Sequence, residues 1–154
     1  MRNILQKFIL GMAITATAAL AADNSLGTWK LNMEKSKFTP SAPVKSLTST
    51  REASDDGVKV TSTGERADGT PINGSYTAKY DGKEYPVAGA PYDSIAIKQV
   101  NANTFTTVQK NSGTKYSTTA RAVISNDGKT MTVTVQGTGT DGSRVRYRMV
   151  YEKQ

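Results

Sequence analysis

The chain has 154 residues, with 20 lysines and arginines against 13 aspartates and glutamates, and neither cysteine nor histidine. That length suits one domain. The two missing residue types exclude disulfides, thiolate and imidazole metal sites, Ser-His-Asp triads and histidine acid–base catalysis.

The net charge of +7 is spread along the chain, with a local concentration only at Arg144, Arg146 and Arg148. Diffuse positive charge favours solubility and weak attraction to anionic surfaces. A nucleic-acid partner would call for a basic face with interleaved stacking aromatics, and none is visible.

Residues 1–21 carry an export signature. Arg2 and Lys7 give a positive start, FILGMAITATAAL is apolar, and Ala19 and Ala21 place small residues where a signal peptidase reads. The run is too short to span a membrane, and no later apolar run follows it. The expectation is a cleaved signal peptide over 1–21 and a single β-barrel domain over 22–154. An exported domain without disulfides fits a bacterial periplasm or exterior better than a eukaryotic secretory route.

The mature part reads as strand after strand. LGTWKLN, at 26–32, opens it with the single tryptophan, Trp29. NMEKSKF, at 32–38, could form one helical turn, and PSAP, at 40–43, is a rigid connection. VKVTSTGER, at 58–66, alternates Val58 and Val60 with Lys59 and Thr61. INGSYTAKY sets Ile72, Gly74, Tyr76, Ala78 and Tyr80 on one face. YPVAGAPYD, at 85–93, reads as a flap or loop, because Pro86 and Pro91 forbid central ladder positions. SIAIKQV aligns Ile95 with Ile97, and KYSTTARAVI aligns Tyr116, Thr118, Ala120, Ala122 and Ile124. TMTVTVQ aligns Met131, Val133 and Val135. RVRYRMVYE aligns Val145, Tyr147, Met149 and Tyr151, with the three arginines opposite.

A period of two with one apolar face is the pattern of antiparallel strands with one wet side. Asp-Gly pairs at 56–57, 68–69, 81–82, 127–128 and 141–142 supply hairpin turns about every dozen residues. The same turns account for Asp55, Asp56, Asp68, Asp81, Asp127 and Asp141 without catalysis or metal binding. The pattern predicts an all-β, antiparallel up-and-down meander of about nine or ten strands, closed into a barrel so that no edge is left exposed. Polar second faces argue against an outer-membrane barrel.

Gly27-Thr28-Trp29 at the head of the first strand, followed by this meander, resembles the lipocalin or calycin superfamily. The resemblance implies a lipocalin-like barrel with Trp29 closing one end. It also implies an arginine of the last strand packed across the indole, and Arg148 is the matching choice. GTWKLNMEKSKF, DGKEYPVAG and SNDGKTMTVT are similar to stretches of small exported bacterial proteins.

On the inward face, large rings alternate with glycine and alanine. Such a mixture can line a pocket, and it can equally fill a tapering barrel. If a pocket exists, its candidate lining is Tyr76, Tyr80, Ile97, Phe105, Tyr116, Thr118 and Tyr147. The expected function is binding of a small, partly apolar molecule, with no enzymatic activity, metal or cofactor. The alternative is a filled barrel that engages a macromolecule in the bacterial envelope, as an inhibitor would. Arg144, Arg146 and Arg148 then offer a stripe for an acidic partner, although a solvated row that deters aggregation explains them as simply.

Overall fold

The computed structural model describes residues 22–154. The signal peptide read at 1–21 lies outside the described residues. Ten strands follow one another: β1 (Gly27–Thr39), β2 (Val44–Ser54), β3 (Gly57–Arg66), β4 (Pro71–Lys79), β5 (Asp81–Ala88), β6 (Ser94–Asn101), β7 (Thr104–Lys110), β8 (Ser117–Ile124), β9 (Thr130–Thr138) and β10 (Arg144–Lys153). Each pairs antiparallel with its sequence neighbours, and β1 pairs with β10 to close the barrel. The expected meander is the observed fold, with no helix among the described residues.

The period-two pattern turns inward as read. Trp29, Leu31, Val58, Val60, Ala78, Ile95, Ile97, Phe105, Ile124, Met131, Val135, Met149 and Tyr151 form the buried core. The opposite parity carries Arg144, Arg146 and Arg148, all exposed.

NMEKSKF does not form a helical turn. It is a bulge within β1, where the register with β10 jumps from Asn32↔Val150 to Lys37↔Arg148. Asn32 holds the bulge as a cap would, accepting from the Lys35 N–H at Oδ1 and from the Ser36 hydroxyl at its carbonyl. The Ser36 hydroxyl in turn accepts the Val150 N–H, so the ladder is interrupted without orphaning that donor.

YPVAGAPYD is only partly a loop, because Tyr85–Ala88 belongs to β5 and Pro86 sits opposite Ser94 of β6. The Val87 N–H donates to the Asp93 carbonyl, on the β6 side. Pro86 therefore turns its nitrogen toward β4. There the seam is nearly open, with only Ser75↔Ala88 and Tyr76↔Val87 in register. A missing donor costs little where there is no ladder to feed.

One end of the barrel is closed by the strap Ala22–Leu26 and by Trp29. The Asn24 N–H donates to the Ala102 carbonyl at 3.0 Å. Gln99 donates to the Ala22 carbonyl at 2.7 Å. Trp29 is fully buried, and its Nε1 donates to the Ser25 carbonyl at 2.8 Å. The buried indole thus sits at this end of the barrel and pins the strap.

The cation over the indole is not Arg148. It is Lys153, whose Nζ lies 5.3 Å from the ring centroid. Register explains the correction. Trp29 faces Lys153 across the β1–β10 ladder, whereas Arg148 faces Lys37 beyond the bulge and points outward, donating to the Lys35 carbonyl. Gly27 makes room for the lysine stem. Its φ is +120°, and a Cβ there would stand 2.8 Å from Lys153 Cε. Gly-x-Trp is therefore one device, in which the glycine admits the cation's stem and the tryptophan presents the ring.

Two outcomes follow from this arrangement. Gly27→Ala should destabilise the fold by about 1–2 kcal/mol through backbone strain and displacement of Lys153. Arg148→Ala should stay within about 0.5 kcal/mol of the parent. Urea unfolding midpoints check both, and equal losses would overturn the assignment of the cation.

The turn aspartates give a pH dependence. Oδ1 of Asp68, Asp81, Asp127 and Asp141 accepts a backbone N–H two residues on. Side-chain hydroxyls add to this, and they hold all four carboxyls below the usual aspartate range; Thr70, Tyr85, Ser125 and Ser143 are the largest causes. Folded values below unfolded ones mean stability that is complete above the unfolded carboxyl range, about pH 4, and lost as pH falls through the folded values. Thermal midpoints should be flat above about pH 5 and decline steadily below about pH 4. A midpoint that rises on acidification would refute this.

Candidate functional site

Above the Trp29 plug the barrel is not filled. It encloses a cavity of ≈ 300 Å³, at the low end of the range of roughly 300–1,000 Å³ found for small-molecule sites. The cavity opens away from the strap, toward Pro43, Arg66, Ala90, Pro91 and Tyr92.

Large rings beside small side chains create the space. On β4, Gly74 precedes Tyr76, and on β8, Ala120 and Ala122 leave room opposite Tyr147 and Met149. Tyr147 stays to one side by packing on Phe38, with centroids 5.4 Å apart. Tyr116 stacks with Tyr92 at 5.8 Å.

Five of the seven candidate lining residues face this cavity: Tyr76, Ile97, Phe105, Tyr116 and Tyr147. The other two are corrected by their partners. Tyr80 packs on Phe105 at 5.2 Å and donates to Asp23 Oδ2, so it belongs to the floor under the cavity. Burial, then that carboxylate, push its phenol well above the ordinary value and keep it neutral. Thr118 is 1 % exposed, and its hydroxyl donates to Gln109 Oε1. It is Gln109 that reaches the cavity.

The arginine row lies on the outside of β10. Its cross-strand neighbours on β9 are Thr138, Gln136 and Thr134, with no acid among them. It is not part of the cavity.

Among the lining groups not singled out in the sequence, three bear on the chemistry of the site. Tyr92 comes from the segment between β5 and β6 and enters the mouth, where burial pushes its phenol well up. That segment is tied down, since Asn111 donates to the Pro91 carbonyl and the Ser112 hydroxyl to Asp93. Thr107 has a buried hydroxyl without a partner. Arg51 stands on the inward parity of β2 with Leu47 and Ser49. Its Nε donates to Ser25 Oγ at 3.2 Å, and that hydroxyl donates to Asp23 Oδ1 at 2.6 Å. The parity of Leu47, Ser49 and Arg51 was the available signal. It is faint, because Thr48, Thr50 and Glu52 on the other face are scarcely more polar.

The wall is mostly apolar and aromatic, and among the described residues its only charged members are Arg51 and Arg66. Among the described residues no carboxylate lines it. Among the described residues, no three carboxylates gather to hold a metal ion.

Among solved structures, the barrel is similar to zebrafish ileal bile acid-binding protein complexed with cholic acid. The identity is 11 %, the TM-score 0.50, and the alignment covers 86 % of this chain and 100 % of that one. A second structure, EF1p2_mFAP2b bound to DFHBI, aligns at 10 % identity with a TM-score of 0.48, over 85 % of this chain and 94 % of that one. No protein-family model and no curated protein matches the sequence. The zebrafish likeness is one of fold, a closed antiparallel barrel.

The orphaned hydroxyl gives a direct test. Thr107→Val keeps the shape and removes a buried polar group with no partner. It should leave stability unchanged or raise it by up to about 1 kcal/mol. A loss above about 1 kcal/mol in urea unfolding would mean that the hydroxyl is satisfied, for instance by cavity water.

Proposed function

We propose that this barrel binds a small, partly apolar molecule in its interior and is not an enzyme. One observation carries the reading: the ≈ 300 Å³ cavity, open at one end and walled by aliphatic and aromatic side chains with a few tyrosine hydroxyls. An apolar wall supplies affinity by burial, and sparse polar groups orient the guest. The absence of any lining carboxylate supports a binding role over catalysis.

The zebrafish protein of similar fold is one complexed with cholic acid. At such low identity the cavity wall, and not the likeness, supports the choice of guest. A filled barrel acting only through its outer arginines is the weaker reading, since packing does not close the interior.

The leader-like sequence at 1–21 supports export, to a periplasm or the exterior of a bacterium. Native mass spectrometry of the protein from the exported fraction tests both parts. The expected chain starts at Ala22 and carries an added mass of roughly a few hundred daltons, lost on denaturation. An uncleaved chain would refute export. Failure of the purified barrel to bind any apolar probe in calorimetry would refute the carrier role.

A further inference from the structure

We propose that the guest carries a carboxylate, held head-down by Arg51 at the closed end of the cavity while its apolar body points to the mouth. This rests on the carrier reading above and adds the chemical class of the guest.

Arg51 puts a half-buried charge on the cavity wall. A guanidinium enclosed in a protein is costly unless it is paired and hydrogen-bonded. Arg51 cannot shed its charge, because a guanidinium stays protonated across the whole ordinary pH range. Yet no carboxylate is within ion-pair distance of it among the described residues. Its neighbours are hydroxyls. Nε spends its one N–H on Ser25 Oγ, and Tyr76 and Tyr80 stand beside the group. Asp23, the nearest acid in the network, is occupied by the Ser25 N–H, the Ser25 hydroxyl and the Tyr80 hydroxyl. It steadies the arginine through Ser25 and leaves the two Nη groups without a carboxylate.

The rest of the wall does not neutralise this charge. The other charged lining residue, Arg66, is also a cation. It is at the mouth and is engaged by carbonyls, donating through Nη1 to Pro71 and through Nη2 to Gly89. The interior therefore has net positive charge, and its deeper cation has a planar fork that tyrosine hydroxyls neighbour but no carboxylate occupies. A carboxylate matches that fork in charge and in bidentate geometry.

Depth fixes the orientation. Arg51 pairs in register with Gly27, at the Trp29 end of β1. The mouth is made by Pro43, Ala90, Pro91 and Tyr92 at the opposite end. A head bound at Arg51 leaves the body among Tyr116, Tyr92 and Tyr147. The barrel then selects for an anion, since a neutral head forfeits the charge-assisted bonds and an ammonium head is repelled by Arg51.

Three probes with one body and different heads test this by calorimetry at neutral pH: 4-phenylbutanoate, 4-phenylbutan-1-ol and 4-phenylbutylammonium. The carboxylate should bind about tenfold to a hundredfold tighter than the alcohol, and the ammonium more weakly than either. In Arg51→Met the carboxylate should lose that advantage while the alcohol stays within about threefold. The alcohol is the control for the cavity itself. If it binds as tightly as the carboxylate, the anion reading falls and the carrier reading stands. If no probe binds, both fall. Should Arg51→Met fail to fold in a melting curve, the ranking of heads on the unaltered protein still decides.

Discussion

The structure depends on its first and last strands meeting. Every other pairing is a hairpin between neighbours, formed by short turns at little entropic cost. The β1–β10 seam joins residues more than a hundred positions apart, such as Trp29 and Lys153. Without it the meander would be an open sheet with two sticky edges. The seam is reinforced where it is weakest. Trp29 ties it to the strap, and Lys153 lies across the indole. Asn32 and Ser36 carry the ladder over the bulge. The closed seam also fixes which end of the barrel is plugged, and so where a guest can enter.

Much of this fold is legible in the sequence because each hairpin advertises itself locally. Alternation and Asp-Gly turns are short-range signals, and they locate the inward face from Val58 to Tyr151. Two misreadings arise where local and tertiary demands part. NMEKSKF has no alternation because three extra residues bulge out, and only pairing with Val150 makes that segment part of a strand. Pro86 reads as a ladder breaker, yet it sits in β5 because its nitrogen faces a seam that is scarcely paired. Neither the partner nor the open seam is written in the local sequence.

The site was less legible. The aromatic half of the wall follows from parity, which puts Tyr76, Phe105, Tyr116 and Tyr147 on the face that lines the cavity. Parity says which face a side chain takes but not its height along the barrel. Tyr80 has the right face and the wrong height, below the cavity, while Thr118 has the right face and lies between Tyr116 and Ala120 but is covered by Gln109, to which its hydroxyl donates. The same limit misled the choice of Arg148 for the indole. Sequence offers three arginines on the last strand, while the register delivers a lysine five positions on.

Whether the barrel is filled is a question of volume, and the sequence leaves it open for that reason. The structure answers it through contacts that hold the rings apart. Phe38 draws Tyr147 to one side. Tyr92 draws Tyr116 toward the mouth, and hydrogen bonds from Asn111 and Ser112 anchor the segment that carries Tyr92. A barrel selected only for stability gains by letting those rings collapse inward, because each void forfeits dispersion contacts. It gains equally by excluding a cation from its interior. Rings held back and a guanidinium kept inside both work against stability, and they do so at one place. Departures from good packing that converge on one cavity mark a functional site more firmly than either would alone.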